Sequence, residues 1–261
     1  MNILDIIARK KEGKKISMVT CYDYTSALIV AKTNMDIILV GDSLGMTMQG
    51  YKNTVPCTID MMAMYTHAVV KGAPEKFILG DLPFLTMRKG LESAMNAVEK
   101  LIHAGANAVK FEGVVDEDLV RHVVNSGVPV MGHIGMTPQF FYQLGGFKVQ
   151  GKDGASAEKI LQDAIALEKA GCFGIVLECM PIGLAQKITE MLDIPTIGIG
   201  AGPHTDGQVL IWQDLLGMNP DFKPKFVKTY FNAFDPIHNA LIAYDKEVKE
   251  GIFPEVQYAY K

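Results

Sequence analysis

The chain has 261 residues, of which 49% are hydrophobic and 21% charged, enough apolar residues for one large core or two small ones. The formal charge of −4 and the scattered Lys and Arg residues exclude the basic stripe typical of nucleic-acid binding. No apolar stretch approaches the length of a bilayer span, and no signal-peptide pattern opens the chain, which predicts a cytoplasmic protein with no membrane partner.

Eight short apolar runs alternate with helical stretches. In chain order they are ISMVTC from 16, DIILVG from 36, KFILGD from 76, NAVKFEG from 107, VPVMGHI from 128, FGIVLEC from 173, IPTIGIG from 194 and, most weakly, QVLIW from 208. Continuous apolar runs of this length are typical of parallel strands buried on both faces. Eight of them separated by helices predict an α/β fold, the (β/α)8 TIM barrel.

The domain organisation follows from the absence of a linker or a composition break. We predict a single barrel domain over residues 1–261, with extra C-terminal helices from about Asp214 onward. Two connections are long, residues 42–75 and 134–156, and long loops on a rigid scaffold often cover a site. The second mixes glycines with aromatic residues and suits either a lid or a packed surface loop.

The four cysteines form no CxxC pair and lie in apolar or strand-like surroundings, which predicts reduced thiols in the core.

Ionisable residues lie at the C-terminal ends of five consecutive predicted strands, which is the end of the barrel where active sites of this fold lie. They are Asp42 with Ser43 at the end of strand two, Asp81 at the end of strand three, Lys110 with Glu112 at the end of strand four, His133 at the end of strand five and Glu178 at the end of strand six. Each has a plainer alternative. Asp42 and Asp81 suit helix N-caps, Lys110 and Glu112 suit a simple ion pair, His133 suits a hydrogen-bonded core histidine, and Glu178 suits a helix cap.

Four carboxylates on one rim would repel one another strongly unless a cation lay among them. An all-oxygen set, without cysteine or paired histidine, favours Mg2+ over zinc. Lys110 and Glu112 are two residues apart and therefore share one face of their strand. Glu178 stands between apolar residues, as suits a general base. A cation, a lysine and a separate base indicate a metal-assisted enzyme that forms an enolate, without identifying the substrate.

The sequence lacks the motifs of several other kinds of active or binding site. The GIGAGP segment at 198–203 has Pro203 in place of the third glycine of a dinucleotide-binding fingerprint, and it suits a tight turn better than a phosphate cradle. The sequence contains neither a Walker A loop nor a G-x-S-x-G elbow.

The chain resembles the ketopantoate hydroxymethyltransferases (3-methyl-2-oxobutanoate hydroxymethyltransferases) of pantothenate biosynthesis over essentially its whole length. The matching motifs, in the order and spacing of the family, are VTCYDYTSA, VGDSLGM, GDLPF, AVKFEG, PVMGHIGMTPQ, LGGFKVQGK, IVLECMP, IPTIGIGAG, DGQVL and DLLGM. Departures occur in TIDMM at 58–62, which has one acid fewer than is frequent in the family, and in the PHTDGQ loop. Neither touches a metal or base position.

The resemblance implies a TIM barrel, usually assembled as a homodecamer, and a role for each rim residue. The Mg2+ ligands fall on Asp42, Asp81 and Glu112, and the proton acceptor on Glu178. Contacts to the 2-oxo acid fall on Asp42, Ser43, Asp81 and Lys110, with His133 as a further neighbour. The implied one-carbon donor is 5,10-methylenetetrahydrofolate, for which no binding residues are assigned.

Two rival functions remain. One is an isocitrate-lyase or phosphoenolpyruvate-mutase type of enzyme, but the KKCGH kind of motif usual there is absent. The other is a non-catalytic barrel that binds a 2-oxo acid, against which the separate base argues.

Overall fold

The computed structural model describes residues 1–113 and 116–260, and eight parallel strands in it form a closed barrel. The strands are β1 Ile16–Thr20, β2 Ile37–Val40, β3 Phe77–Asp81, β4 Ala108–Lys110, β5 Val130–Gly135, β6 Gly174–Glu178, β7 Thr196–Ile199 and β8 Gly207–Leu210. They follow one another in chain order, and β8 pairs with β1 to close the sheet. The predicted TIM barrel is confirmed, and each of the eight apolar runs contains or overlaps a strand.

Helices precede and connect the strands. Up to residue 211 they are α1 Ile3–Lys11, α2 Tyr24–Ala31, α3 Leu44–Thr47, α4 Ile59–Gly72, α5 Leu91–His103, α6 Glu117–Asn125, α7 Phe141–Leu144, α8 Gly154–Lys169 and α9 Ile182–Met191. Side-chain caps fix several starts: Asp23, Thr58 and Asp153 each accept a backbone N–H from the first turn of the helix that follows. The four-residue helices α3 and α7 lie inside the two long connections.

The barrel interior is filled by apolar side chains that alternate along the strands. One buried cluster takes Ile16 and Met18 from β1, Ile37 and Leu39 from β2, and Phe77 and Leu79 from β3, with counterparts from the other strands. Ile6 of α1 is fully buried in the same cluster. Because this interior is packed, the ionisable groups of the site gather at and near the carboxyl ends of the strands.

The register of the sheet aligns residues that the site uses. Asp81 pairs with Lys110 across β3 and β4, and Gly135 pairs with Glu178 across β5 and β6. Gly135 has a φ of 93°, and a Cβ there would stand 2.3 Å from the carbonyl oxygen of Glu178. Only glycine permits this approach, which holds the end of β5 against the end of β6.

All four cysteines are free thiols, as expected; Cys21, Cys57 and Cys172 are buried, and Cys179 is half-buried. Desolvation by burial raises the pKa of Cys21 to about 11 and the pKa of each of the other three to about 12. These groups therefore stay protonated at neutral pH.

Residues Met1–Ile211 and Trp212–Lys261 form two compact units. The second contains α10 Trp212–Leu215, α11 Phe234–Lys249 and a 3-10 turn, Val256–Tyr258. The assignment of both units to one domain stays a prediction. Among the described residues, no helix combines the length and the apolar character that crossing a bilayer requires.

Asp214 lines a cavity of about 280 Å3 within the second unit, together with Lys223. Burial raises its pKa from 3.8 to about 6, so the folded state binds the proton more tightly than the unfolded chain. Protonation of Asp214 therefore favours the folded state: this contribution to folding stability is fully present below pH 3.8 and is lost as the pH rises through 6.

We expect Asp214→Asn to raise the melting temperature at pH 8, and the gain to vanish at pH 3.5, in thermal scans at both values. An equal gain at both values would contradict this origin.

Candidate active site

Three carboxylates from neighbouring strands meet at one point on the barrel rim. Asp42 lies two residues beyond β2, Asp81 is the last residue of β3, and Glu112 lies two residues beyond β4. Each side chain offers one oxygen that lies within 4.8 Å of the oxygens offered by the other two. All three residues are at most 4% exposed. The structure thus brings together the three side chains assigned to metal binding from the sequence.

Lys110, the last residue of β4, lies among these acids and is 3% exposed. Its Nζ is 2.9 Å from Asp81 Oδ2 and 3.8 Å from Glu112 Oε1, so the lysine pairs mainly with the neighbouring strand. The simple Lys110–Glu112 ion pair that the spacing allowed is therefore the weaker of two. The other oxygen of Asp81, Oδ1, is buried and has no hydrogen-bond partner among the described residues.

His133 connects the acid cluster to Glu178. It lies inside β5, two residues before the strand ends, rather than at the end as predicted. Its Nδ1 is 3.5 Å from Glu112 Oε1 and 3.3 Å from Lys110 Nζ, and its Nε2 is 3.2 Å from Glu178 Oε2. The last approach lacks hydrogen-bond geometry, so it is an ion-pair contact. The Glu178 side chain remains 13% exposed, which leaves its carboxylate accessible from the rim.

Ser43 lies at the rim beside Asp42, and its Oγ is 2.7 Å from the hydroxyl of Tyr22. This contact ties the connection after β1 to the connection after β2. Tyr22 is 1% exposed and was not singled out in the sequence, because an aromatic residue after a strand reads as ordinary core.

Gln139 is a further residue that the sequence reasoning missed. It is 6% exposed and lies in a 3-10 turn, Pro138–Phe140, within the second long connection. Its side-chain Nε2 donates to Asp42 Oδ2 and to the Leu82 carbonyl, both at 2.9 Å, and its backbone N–H donates to Glu112 Oε2 at 2.9 Å. The residue therefore orients two of the three clustered carboxylates. Its only sequence signal was its place, with Gln143 and Gln150, in a connection suspected of covering the site.

The same connection contacts other loops at the rim. The Arg88 guanidinium lies 5.1 Å from the ring centroid of Phe140, and the Gln150 N–H donates to the Cys179 carbonyl at 2.9 Å. The segment thus spans from the connection after β3 to the end of β6. Its role as a lid stays a prediction.

Burial and the charges of neighbouring groups shift the pKa values of the three clustered acids. Burial, followed by the charges of Asp81 and Glu112, raises the pKa of Asp42 well above its usual value. Burial also raises the pKa of Asp81, against the opposing effect of Lys110. The pKa of Glu112 is lowered, because His133, Lys110 and the Gln139 N–H together outweigh the opposing effect of burial.

The two basic groups respond to the same acids. Burial lowers the pKa of Lys110, but the charges of Asp81, Glu112 and Asp42 outweigh this effect and raise it overall. Burial and the Lys110 charge lower the pKa of His133, while contacts with Glu112 and Glu178 raise it to about 9. Both groups are therefore cationic at neutral pH with these neighbours.

A divalent cation fits this donor set. Asp42, Asp81 and Glu112 each offer one oxygen to the same small region, and the nearest cation, Lys110, pairs mainly with Asp81. The buried Asp81 Oδ1, which has no hydrogen-bond partner among the described residues, is available to a bound cation. The available ligand atoms are carboxylate oxygens, which suit a hard ion such as Mg2+.

The helix-cap alternative is wrong for three of the acids. The N-cap of α3 is Ser43, and the N-cap of the 3-10 turn Thr86–Arg88 is Leu85, so neither Asp42 nor Asp81 caps a helix. The N-cap of α9 is Pro181, so Glu178 does not cap that helix either.

Comparisons with known proteins agree with the sequence resemblance. The family model described as ketopantoate hydroxymethyltransferase matches residues 1–256. A 3-methyl-2-oxobutanoate hydroxymethyltransferase of Bdellovibrio bacteriovorus is 56% identical over 259 residues, covering 99% of this chain and 98% of that protein. One from Coxiella burnetii is 54% identical over 259 residues, covering 98% and 97%.

Solved structures with a similar fold are much more distant in sequence. A 2,3-dimethylmalate lyase of the PEP mutase/isocitrate lyase superfamily superposes with a TM-score of 0.62 at 16% identity, covering 99% of this chain and 91% of that one. A phosphonopyruvate hydrolase gives a TM-score of 0.64 at 11% identity, covering 100% and 92%. At these identities the likeness concerns the barrel fold alone.

Proposed function

Because the chain belongs to the ketopantoate hydroxymethyltransferase family, we propose that it transfers a hydroxymethyl group from 5,10-methylenetetrahydrofolate to 3-methyl-2-oxobutanoate, giving 2-dehydropantoate (ketopantoate). The observation that carries the proposal is a buried cluster of Asp42, Asp81 and Glu112 beside a more accessible carboxylate, Glu178. A site that only binds an oxo acid has no use for that separate base.

In this proposal Asp42, Asp81 and Glu112 would hold Mg2+, which would supply a Lewis acid for negative charge that develops on the keto oxygen of the substrate. Gln139 orients two of these carboxylates through its side-chain amide and its backbone N–H. Such outer contacts fix the direction of ligand atoms before the ion arrives.

Glu178 removes the proton from C3 of the oxo acid. Its carboxylate lies next to His133, which holds it at the barrel rim by an ion-pair contact. Breaking the C3–H bond leaves its electron pair in the enolate of the substrate, and the proton moves to a Glu178 oxygen. Lys110, Ser43 and the rim acids orient the carboxylate and keto oxygens of the substrate, which aligns the C3–H bond with the base.

The second half of the reaction transfers the one-carbon unit to C3 of the enolate. The C3 of the enolate forms a bond to the methylene carbon of the folate, both carbon–nitrogen bonds of that methylene group break, and a water oxygen becomes the hydroxyl. The two folate nitrogens take up one proton each, one from water and one from protonated Glu178. The products are ketopantoate and tetrahydrofolate. This chain contributes position and proton transfer, while the folate contributes the carbon.

The direct test is tetrahydrofolate release, measured with the purified chain, the oxo acid and 5,10-methylenetetrahydrofolate, with and without EDTA. We expect release that depends on the oxo acid, stops with EDTA and returns on adding excess Mg2+. Absence of release in the presence of Mg2+ would overturn the proposed function.

The contacts of Gln139 lead to a prediction about metal affinity. Gln139→Leu keeps the size of the side chain but removes the donor to Asp42, so we expect Mg2+ affinity to fall about 10- to 100-fold in calorimetric titrations. Gln143→Leu is the matched control, because Gln143 is exposed in the same connection. Equal Mg2+ affinities for the wild type and Gln139→Leu would show that the amide does not orient a ligand.

The proposal also includes a cytoplasmic location and a homodecamer. Free, buried cysteines support a reducing compartment. Exposed apolar side chains on α2, Tyr24, Leu28 and Ile29, support a subunit interface. Light scattering of the purified protein measures the assembly directly.

A further inference from the structure

The side chains at the mouth of the barrel divide into a charged arc and an apolar arc. The ends of β2 to β6 supply the clustered acids, Lys110, His133 and Glu178. By contrast, residues 196–203, which include β7 and the turn after it, and residues 207–211, which include β8, contain no ionisable side chain. The apolar arc therefore begins at β7, the strand next to the one that ends in the proposed base.

Ile199, the last residue of β7, is the apolar neighbour of that base. It is paired in register with Glu178 across β6 and β7. Val176 and Ile197, which lie two residues earlier on these strands, both belong to the buried cluster inside the barrel. Side chains two residues apart on a strand share a face. Glu178 and Ile199 therefore both point into the barrel, side by side.

Ile199 lies in the outermost layer of the barrel interior. It is 8% exposed, whereas Ile197, one layer deeper on the same strand, is fully buried. The strand on the other side of Glu178 offers no side chain at this level, because the register partner there is Gly135 of β5. Ile199 is thus the side chain that borders Glu178 from a neighbouring strand in this layer.

The proposed chemistry fixes how the oxo acid lies across the barrel mouth. Its carboxylate and keto oxygens face the acid cluster and Lys110, at the ends of β2, β3 and β4, and its C3–H bond faces Glu178 on β6. C3 carries two methyl groups besides this hydrogen. Because neighbouring strands lie about 4.8 Å apart, a C3 atom next to the Glu178 carboxylate brings its methyl groups within contact distance of Ile199.

We propose that Ile199 is the specificity-determining residue for the alkyl group of the oxo acid, because it packs against the substituents of C3 and limits their size. The inference rests on the proposed function, since Glu178 must act on C3. Apolar contact with Ile199 favours the isopropyl group over smaller alkyl groups. Isoleucine is branched at Cβ and has few rotamers, so it cannot turn aside to admit a longer chain.

The test compares two oxo acids that differ by one methylene group, 3-methyl-2-oxobutanoate and each enantiomer of 3-methyl-2-oxopentanoate. The exchange of the C3 proton for deuterium is followed by NMR with Mg2+ and without folate. One methylene in an apolar pocket changes kcat/KM by about 10- to 200-fold. We therefore expect the ratio of kcat/KM for the longer acid to that for the shorter acid to rise at least about tenfold in Ile199→Ala. Ile199→Val, a milder change for folding, should give a smaller rise.

Ile197→Ala is the matched control, because it removes the same atoms one layer deeper on the same strand. It should lower the melting temperature but leave the ratio at the wild-type value. Unchanged ratios in folded Ile199→Ala and Ile199→Val would overturn the inference, as would an equal rise in Ile197→Ala. A wild type that does not exchange the C3 proton of 3-methyl-2-oxobutanoate would overturn the proposed function itself, and this inference with it.

Discussion

Glu178→Gln is expected to lower the rate of C3 proton exchange of 3-methyl-2-oxobutanoate by about 10^2- to 10^4-fold, the usual contribution of a positioned general base. The amide keeps the size of the side chain and its place beside His133, but it cannot accept the C3 proton. Binding of Mg2+ and of the oxo acid should change little, because Glu178 is not part of the acid cluster. Loss of tritium from C3-labelled substrate measures the exchange, and calorimetry measures the binding.

The control for this variant is Glu190→Gln. Glu190 is an exposed glutamate near the C-terminal end of α9, and its side chain accepts a hydrogen bond from Gln186. The Glu190→Gln variant should exchange the C3 proton of 3-methyl-2-oxobutanoate at the wild-type rate. If Glu178→Gln also retained that rate, another group would be the base.

Asp81→Asn is expected to reduce kcat/KM on the order of 10^3-fold, equivalent to about 4 kcal/mol of transition-state stabilisation. Asp81 offers the cation a buried oxygen, Oδ1, that has no hydrogen-bond partner among the described residues. The amide removes one of the three acidic groups of the cluster and weakens the attraction for Lys110. Mg2+ and oxo-acid affinities should fall together, since one depends on the other.

Breaking the Asp81–Lys110 pair also threatens folding, because a buried charge without its partner costs about 3–5 kcal/mol. Asp42→Asn avoids this difficulty, since Asp42 is not the primary partner of Lys110. Asp118→Asn, at an exposed position on α6, is the unaffected control. If folded Asp81→Asn and Asp42→Asn bound Mg2+ as tightly as the wild type, these two acids would not be metal ligands.

The fold and most of the site could be predicted from the sequence, because both depend on local patterns. Buried parallel strands leave continuous apolar runs, and even QVLIW was long enough to overlap β8. Asp42, Asp81 and Glu112 each lie at or near the end of such a run, so the barrel fold predicts that they meet at one rim.

What the sequence did not predict depends on contacts between distant loops. Gln139 reaches Asp42 across 97 positions, and nothing in the MTPQFF segment signals that partner. The place of His133 inside β5, and its contacts on both sides, follow from sheet register rather than from spacing. Local periodicity carries no information about either.

The chemistry of the four thiols makes this chain a convenient host for site-specific probes. Alkylating reagents attack the thiolate, and burial holds the pKa of every native cysteine at about 11 or 12. A maleimide dye would therefore react slowly with the natural protein and rapidly with one exposed cysteine introduced at Tyr142, which is 74% exposed in the second long connection. A fluorophore there could report on movement of that segment when substrates arrive, without first deleting the natural sulfhydryls.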